Sequence, residues 1–329
     1  MKALLLTIVL SLASFACSGE PQTIGLTEPL RVGYGSTRNT QFRSGPLPGS
    51  RPLTSKEQLS NVAPQLPTAT VNVPGAIVRE LDTGFVIAGA TSTEAVAIGI
   101  RFLDLGTGYW IVPVTGQDPT HPGTFTWSAT ADFGADIPPG LHQLGVVAID
   151  GAGHGGTQVE TDLCVASDIP DNLSACSPSL QPPTTVVSLV WDTPVDLDLR
   201  VITPQGKIVD PKHPSTAVAV DGHIDPTAKG TGIFDTDALR GCVNTGHRRE
   251  NLVWQDAPEP GTYLVYASLY NACGQSAVHF TLSLNQREPS EDGGTLHLAE
   301  TFETTGELLA ADADAGVQLG LFVTSFTVQ

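Results

Sequence analysis

Across residues 190–201 apolar and acidic side chains alternate with a period of two. Trp191, Val195, Leu197, Leu199 and Val201 fall on one side of an extended chain, and Asp192, Asp196 and Asp198 fall on the other. Strands, not helices, have this period. The stretch therefore reads as a strand with one face in a core and a row of carboxylates on the opposite face. Like charges so close together require a compensating group, either a divalent cation or arginine.

The rest of the chain supports the same fold class. Short apolar runs are cut by turn residues throughout, with 34 Gly and 25 Pro, and long amphipathic helical patterns are absent. This punctuation predicts an all-β protein. The length of 329 residues accommodates two β-sandwich domains behind a leader and a disordered linker. Charge is uneven along the chain. Residues 1–65 hold six Lys/Arg and three Asp/Glu, leaving ten against 31 in the remainder, a net of −21. An acidic body of this kind argues against nucleic acid as a partner, which needs a basic surface. It suits divalent cations and solubility outside the cytoplasm.

Met1-Lys2 precedes a short apolar run that ends in Ser14-Phe15-Ala16-Cys17. One positive charge, an apolar core and small residues before a cut describe a secretory signal. Residues 1–17 resemble the leader and lipobox of bacterial lipoproteins. The resemblance implies lipidation of Cys17, a membrane anchor and a place in the bacterial cell envelope. Ser14 and Phe15 depart from the usual pattern, and a plain signal peptide would leave the protein secreted. Residues 18–68 are rich in Gly, Pro, Ser and Thr and predict a flexible tether.

Residues 69–167 carry strand-like runs at 70–73, 84–90, 95–103, 109–114, 124–131, 145–150 and 157–165, separated by Gly- and Pro-bearing turns. The run from Gly140 to Gly153 resembles the end of a bacterial immunoglobulin-like domain. That resemblance implies a β-sandwich serving as a spacer or interaction module. Trp110 and Trp127 lie in strand-like runs and read as core rather than as a sugar platform. His121, His142 and His154 have no ligand-like spacing.

Apart from Cys17, the cysteines are Cys164, Cys176, Cys242 and Cys273. An exported chain meets oxidising conditions, so disulfides are expected. Pairing Cys164 with Cys176 and Cys242 with Cys273 keeps each bridge within one structural unit. A four-cysteine zinc site lacks any close Cys-x-x-Cys pair.

Residues 168–181 are rich in Ser, Pro and Asp and mark an interdomain linker before a second sandwich at 182–329. In this second part Trp191 to Leu199, Pro204 to Gly206, Asp235 to Asn251 and Pro260 to Tyr263 resemble, in order and rough spacing, the bacterial YfaP-like domain of uncharacterised function. The interval carrying Cys242 is long for that group, and the extension after Arg287 has no counterpart in it. The Pro-Gly-x-Tyr strand is also similar to β-sandwich modules appended to secreted proteases. The resemblance implies fold more than activity.

Asp196 and Asp198 sit two residues apart, Asp235 and Asp237 repeat the spacing, and Glu250 with Asn251 adds oxygens. Calcium takes six to eight oxygen ligands, often from discontinuous segments. Asp196, Asp198, Asp235, Asp237 and Glu250 are therefore the candidate calcium ligands. Arg200, Arg240, Arg248 and Arg249 are the candidate alternative, an ion-pair network. No Gly-x-Ser-x-Gly elbow occurs, no spacing marks a zinc-protease histidine pair, and nothing distinguishes an acid from a base among the carboxylates. The expectation is a non-enzymatic envelope lipoprotein that binds, adheres or scaffolds, with an unknown envelope protein or glycan as partner. The alternative is a secreted carbohydrate-binding accessory protein using Trp191, Trp254, Tyr263 or Tyr266.

Overall fold

Short runs of β-branched and aromatic residues cannot bury their apolar faces alone, so they pair into sheets that pack face to face. The computed structural model describes residues 27–33, 40–60, 66–73, 77–218, 225, 228–243, 247–290 and 294–329. The predicted signal peptide and Cys17 lie outside the described residues.

The strands of the first sandwich are β1 (Leu30–Gly33), β2 (Gln41–Ser44), β3 (Ile77–Val78), β4 (Phe85–Ser92), β5 (Ala95–Phe102), β6 (Gly108–Pro113), β7 (Gly116–Gln117), β8 (Thr124–Phe133), β9 (Gly140–Asp150) and β10 (Val159–Val165). A short helix, α1 (Ser55–Ser60), follows β2. One sheet runs β1-β8-β4, with β7 also on β8, and the other runs β2-β6-β5-β9-β10-β3. Leu30, Ile87, Trp127 and Phe133 meet Ile98, Phe102, Val146 and Leu163 in the core between them.

The second sandwich contains β11 (Thr185–Trp191), β12 (Asp196–Ile202), β13 (Ile208–Val209), β14 (Gly232–Phe234), β15 (Arg249–Trp254), β16 (Gly261–Asn271), β17 (Ala277–Pro289), β18 (Leu296–Leu309) and β19 (Leu321–Val328). Its sheets run β14-β15-β11-β17-β18 and β13-β12-β16-β19. Trp191, Leu197, Leu199, Trp254, Tyr263 and Phe280 fill the core. Both disulfides pair as expected, Cys164 with Cys176 and Cys242 with Cys273. No helix among the described residues is long and apolar enough to cross a membrane.

Several sequence expectations are corrected. The stretch at 18–68 was expected to be a tether, yet it supplies two strands. β1 pairs with β8 and buries Leu30 and Val32, and β2 pairs with β6. Leu47 packs on the outer face of the six-stranded sheet. At Gly155 a Cβ would come within 1.9 Å of the Pro48 carbonyl oxygen, so the segment lies directly on the domain. Four-residue strands flanked by Gly and Pro have too short an apolar pattern to stand out, and their stability comes from the partner strand.

Residues 190–201 form two strands rather than one. β11 ends at Trp191 and β12 begins at Asp196 in the opposite sheet. Pro194, which has no N–H for a ladder, lies in the crossover. The even spacing nevertheless survives, and Trp191, Val195, Leu197, Leu199 and Val201 are all buried. Asp192 leaves the acidic row and accepts the backbone N–H of His279. The C-terminal extension forms β18 and β19, the two edges on one side of the sandwich. The aromatic platform of the glycan reading is largely internal, because Trp191, Trp254 and Tyr263 are core residues and only Tyr266 is partly exposed.

Candidate metal centre

β12 is covered on one edge by β13 only at Val201 and Ile202. The edge at 196–200 is closed instead by the segment 235–242 and by Glu250 of β15. Leu239, Gly241 and Cys242 all have positive φ, from 58° to 65°. This curled backbone aims its N–H groups at carboxylates, as in an anion-binding nest. Gly241 N–H donates to Asp196 Oδ2 at 2.7 Å. Ala238 N–H donates to Glu250 Oε1 at 3.2 Å, and the β12 edge amide of Leu199 donates to Glu250 Oε2 at 2.8 Å. The Cys242–Cys273 bridge ties this segment to the end of β16, next to Asn271, the β12 register partner of Asp196.

Asp196, Asp198 and Asp237 each present an oxygen within 4.8 Å of the others. Some point therefore lies within about 2.8 Å of all three oxygens, close to the ~2.3–2.6 Å of a calcium–oxygen bond. Asp235 does not join them. It accepts both the backbone N–H and the side-chain amide of Asn251, at 3.0 and 2.7 Å. Glu250 stands behind the cluster with both oxygens taken by backbone amides. Of the five sequence candidates the structure thus brings three to one point, places one in support and turns one away.

The charges are incompletely compensated. Arg200 Nη2 lies 3.8 Å from Asp198 Oδ2, and Arg200 Nε lies 3.8 Å from Asp210 Oδ2. The same guanidinium donates to the carbonyls of Gly316 and Gln318, holding that loop over the outer face of the sheet. Arg240 Nε lies 3.7 Å from Asp237, with the arginine exposed and the carboxylate partly buried. Arg249 is committed elsewhere, to Asp168 of the interdomain segment. Burial drives the Asp198 carboxyl up to about 7. The charges of Asp196, Asp237 and Asp210 add to this, and Arg200 opposes it. Burial also raises Asp196, while the Gly241 amide pulls it down and the charge of Asp237 raises it. Glu250 lies well above the usual carboxylate range because it is buried beside Asp198, against the pull of the Leu199 and Ala238 amides.

Ser268 is a member of this site with no mark in the sequence. It lies directly across from Asp198 on β16, so both side chains share one face of the sheet. Its Oγ is fully buried and has no hydrogen-bond partner among the described residues. Asp198 itself is 6% exposed, and the cation nearest to it is Arg200, at 3.8 Å.

No protein-family model matches the chain. No curated protein matches it either. Among solved structures it is similar to one named BspA_C_mut, at 10% identity over 74% of this chain and 99% of that chain, with a TM-score of 0.20. At that score the likeness carries no argument about this chain.

Proposed function

We propose that the protein is a non-catalytic module of the bacterial cell envelope, lipid-anchored through Cys17, whose second sandwich is stiffened by one calcium ion on Asp196, Asp198 and Asp237. Its role is binding, adhesion or scaffolding at the surface. The two disulfides support an oxidising compartment outside the cytoplasm. The observation that carries the calcium reading is Asp198. It is a largely buried carboxylate in a three-carboxylate cluster, across the ladder from Ser268, whose buried hydroxyl has no hydrogen-bond partner among the described residues. A buried anion is costly unless a cation meets it. The 3.8 Å contact from Arg200 is longer than a charge-assisted hydrogen bond, which spans about 2.7–2.9 Å. Asp196 and Asp237 span the closure of β12 against the 235–242 segment, so an ion there would lock the open edge of the sandwich.

The test is thermal unfolding of the full chain with calcium and with chelator. A ligand that binds only the folded state stabilises it by RT ln(1 + [L]/Kd). For the 10⁻⁴–10⁻³ M affinities of extracellular calcium modules, 10 mM calcium adds about 1.4–2.7 kcal/mol. An unchanged melting temperature at that concentration would leave Arg200 and Arg240 as the neutralising groups and end the calcium reading.

A further inference from the structure

A second site lies where the two sandwiches meet. A cavity of about 250 Å³ is lined from the first domain by Arg79, Glu80, Leu81 and Asp82, from the interdomain segment by Asp168, and from the second domain by Val190, Trp191, His247, Arg248 and Arg249. Three guanidinium groups thus converge in a chain of 34 Asp/Glu against 16 Lys/Arg. In such a chain most arginines are expected to find a carboxylate. Arg249 does, on Asp168. Arg79 also acts on Asp168 through its charge, at longer range than Arg249, and both Arg79 and Arg248 are exposed.

Both exposed arginines are held on fixed backbone. Arg79 opens a tight turn in which its own N–H donates to Asp82 Oδ2 at 2.8 Å, and the Asp82 N–H returns to the Arg79 carbonyl at 3.3 Å. The Phe133 N–H donates to the Asp82 carbonyl at 2.8 Å, pinning the turn to β8. Within the turn Leu81 has φ +61° and is largely exposed, an uncommon conformation for a leucine and one that recurs at ligand clamps. Arg248 directly precedes β15 and extends its ladder with β11, the Trp191 N–H donating to its carbonyl at 3.0 Å.

The carboxylates in the cavity are already engaged. Asp82 serves its turn, and Asp168 serves Arg249. Burial and the neighbouring Asp168 raise Glu80 to about 7, with Asp136 adding to the rise and Arg249 opposing it, so its negative charge is weakened at neutral pH. The exposed guanidinium groups of Arg79 and Arg248 stand against an apolar wall of Leu81 and Val190. Ligand sites favour domain junctions with a few convergent polar groups, and this volume lies below the ~300–1,000 Å³ of drug-sized pockets.

We infer that this interdomain cavity binds a small oxyanion, carboxylate or phosphate, on a compact sugar-sized body, with Arg79 and Arg248 as the anion-holding residues. Guanidinium groups pair with both oxyanions in bidentate fashion. A ligand held from both domains would also fix their relative orientation. The inference does not depend on calcium, since none of the cavity's residues belongs to the metal centre.

Calorimetric titration of the full chain at low ionic strength tests it, with glucuronate, glucose 6-phosphate and neutral glucose as probes. Binding of glucuronate alone assigns a carboxylate, binding of glucose 6-phosphate alone assigns a phosphate, and glucose should give no signal. The Arg79→Ala/Arg248→Ala double variant should weaken anion binding at least tenfold with its melting temperature unchanged, because both side chains are exposed. Failure of both anions to bind above the glucose control, or wild-type affinity in the double variant, would overturn the assignment.

Discussion

Replacing Asp198 by Asn removes a charge that the fold compensates poorly, and the effect depends on pH. The folded-state value of about 7 stands roughly three units above the ordinary Asp value. A carboxyl raised in this way binds its proton more tightly in the folded than in the unfolded chain. Its contribution to stability is complete below about pH 4 and is lost as pH rises through 7. At about 1.4 kcal/mol per unit, the ionised side chain costs the calcium-free protein about 4 kcal/mol at pH 8 relative to pH 4. Asn carries no such penalty, and Arg200 would keep Asp210 and the carbonyls of Gly316 and Gln318. Urea unfolding in chelator, followed by tryptophan fluorescence, should therefore show the Asn variant gaining on the wild type by about 3–4 kcal/mol between pH 4 and pH 8. In calcium at pH 8 the order should reverse, because only the wild type binds the ion. A stability difference that does not vary with pH in chelator would refute the reasoning and show that Arg200 already neutralises Asp198.

Other substitutions separate the members of the cluster. Asp237→Asn should weaken calcium binding at least tenfold, whereas Asp235→Asn should leave it unchanged and lower stability by about 1–3 kcal/mol through its bonds to Asn251, as read by calorimetry and urea unfolding. Cys242→Ser with Cys273→Ser opens a 31-residue loop and should cost up to about 4 kcal/mol on chain-entropy grounds, with weaker calcium binding as the Gly241 amide is released. Deleting residues 1–33 removes two buried apolar side chains, Leu30 and Val32, and should destabilise the first sandwich by about 3–6 kcal/mol in denaturant melts. A dispensable tether would show no loss.

The sequence was most legible where a short-range pattern decided the outcome. Alternation over 190–201 identified the core face of β12, and confinement of each bridge to one unit identified both disulfide pairs. Asp196, Asp198 and Asp237 were found because strand spacing places two of them and the chain order supplies the third. The rest depended on long-range partners. Asp235 has the same residue type and spacing as Asp237, but the Asn251 amide captures it. Glu250 is satisfied by the amides of Leu199 and Ala238, and no residue letter records where a backbone N–H points. Ser268 enters only through the β12–β16 register. β1 and β2 are too short to be visible without β8 and β6. The break at Pro194 was present in the sequence, but the unbroken period on either side concealed the change of sheet.

Calcium titration of the full chain by calorimetry at pH 7.5 tests the central claim most directly. One ion should bind with a dissociation constant in the 10⁻⁴–10⁻³ M range, and Asp198→Asn should abolish the heat. Folded wild-type protein that takes up no calcium at 10 mM, or an Asp198→Asn variant that binds as the wild type does, would contradict it.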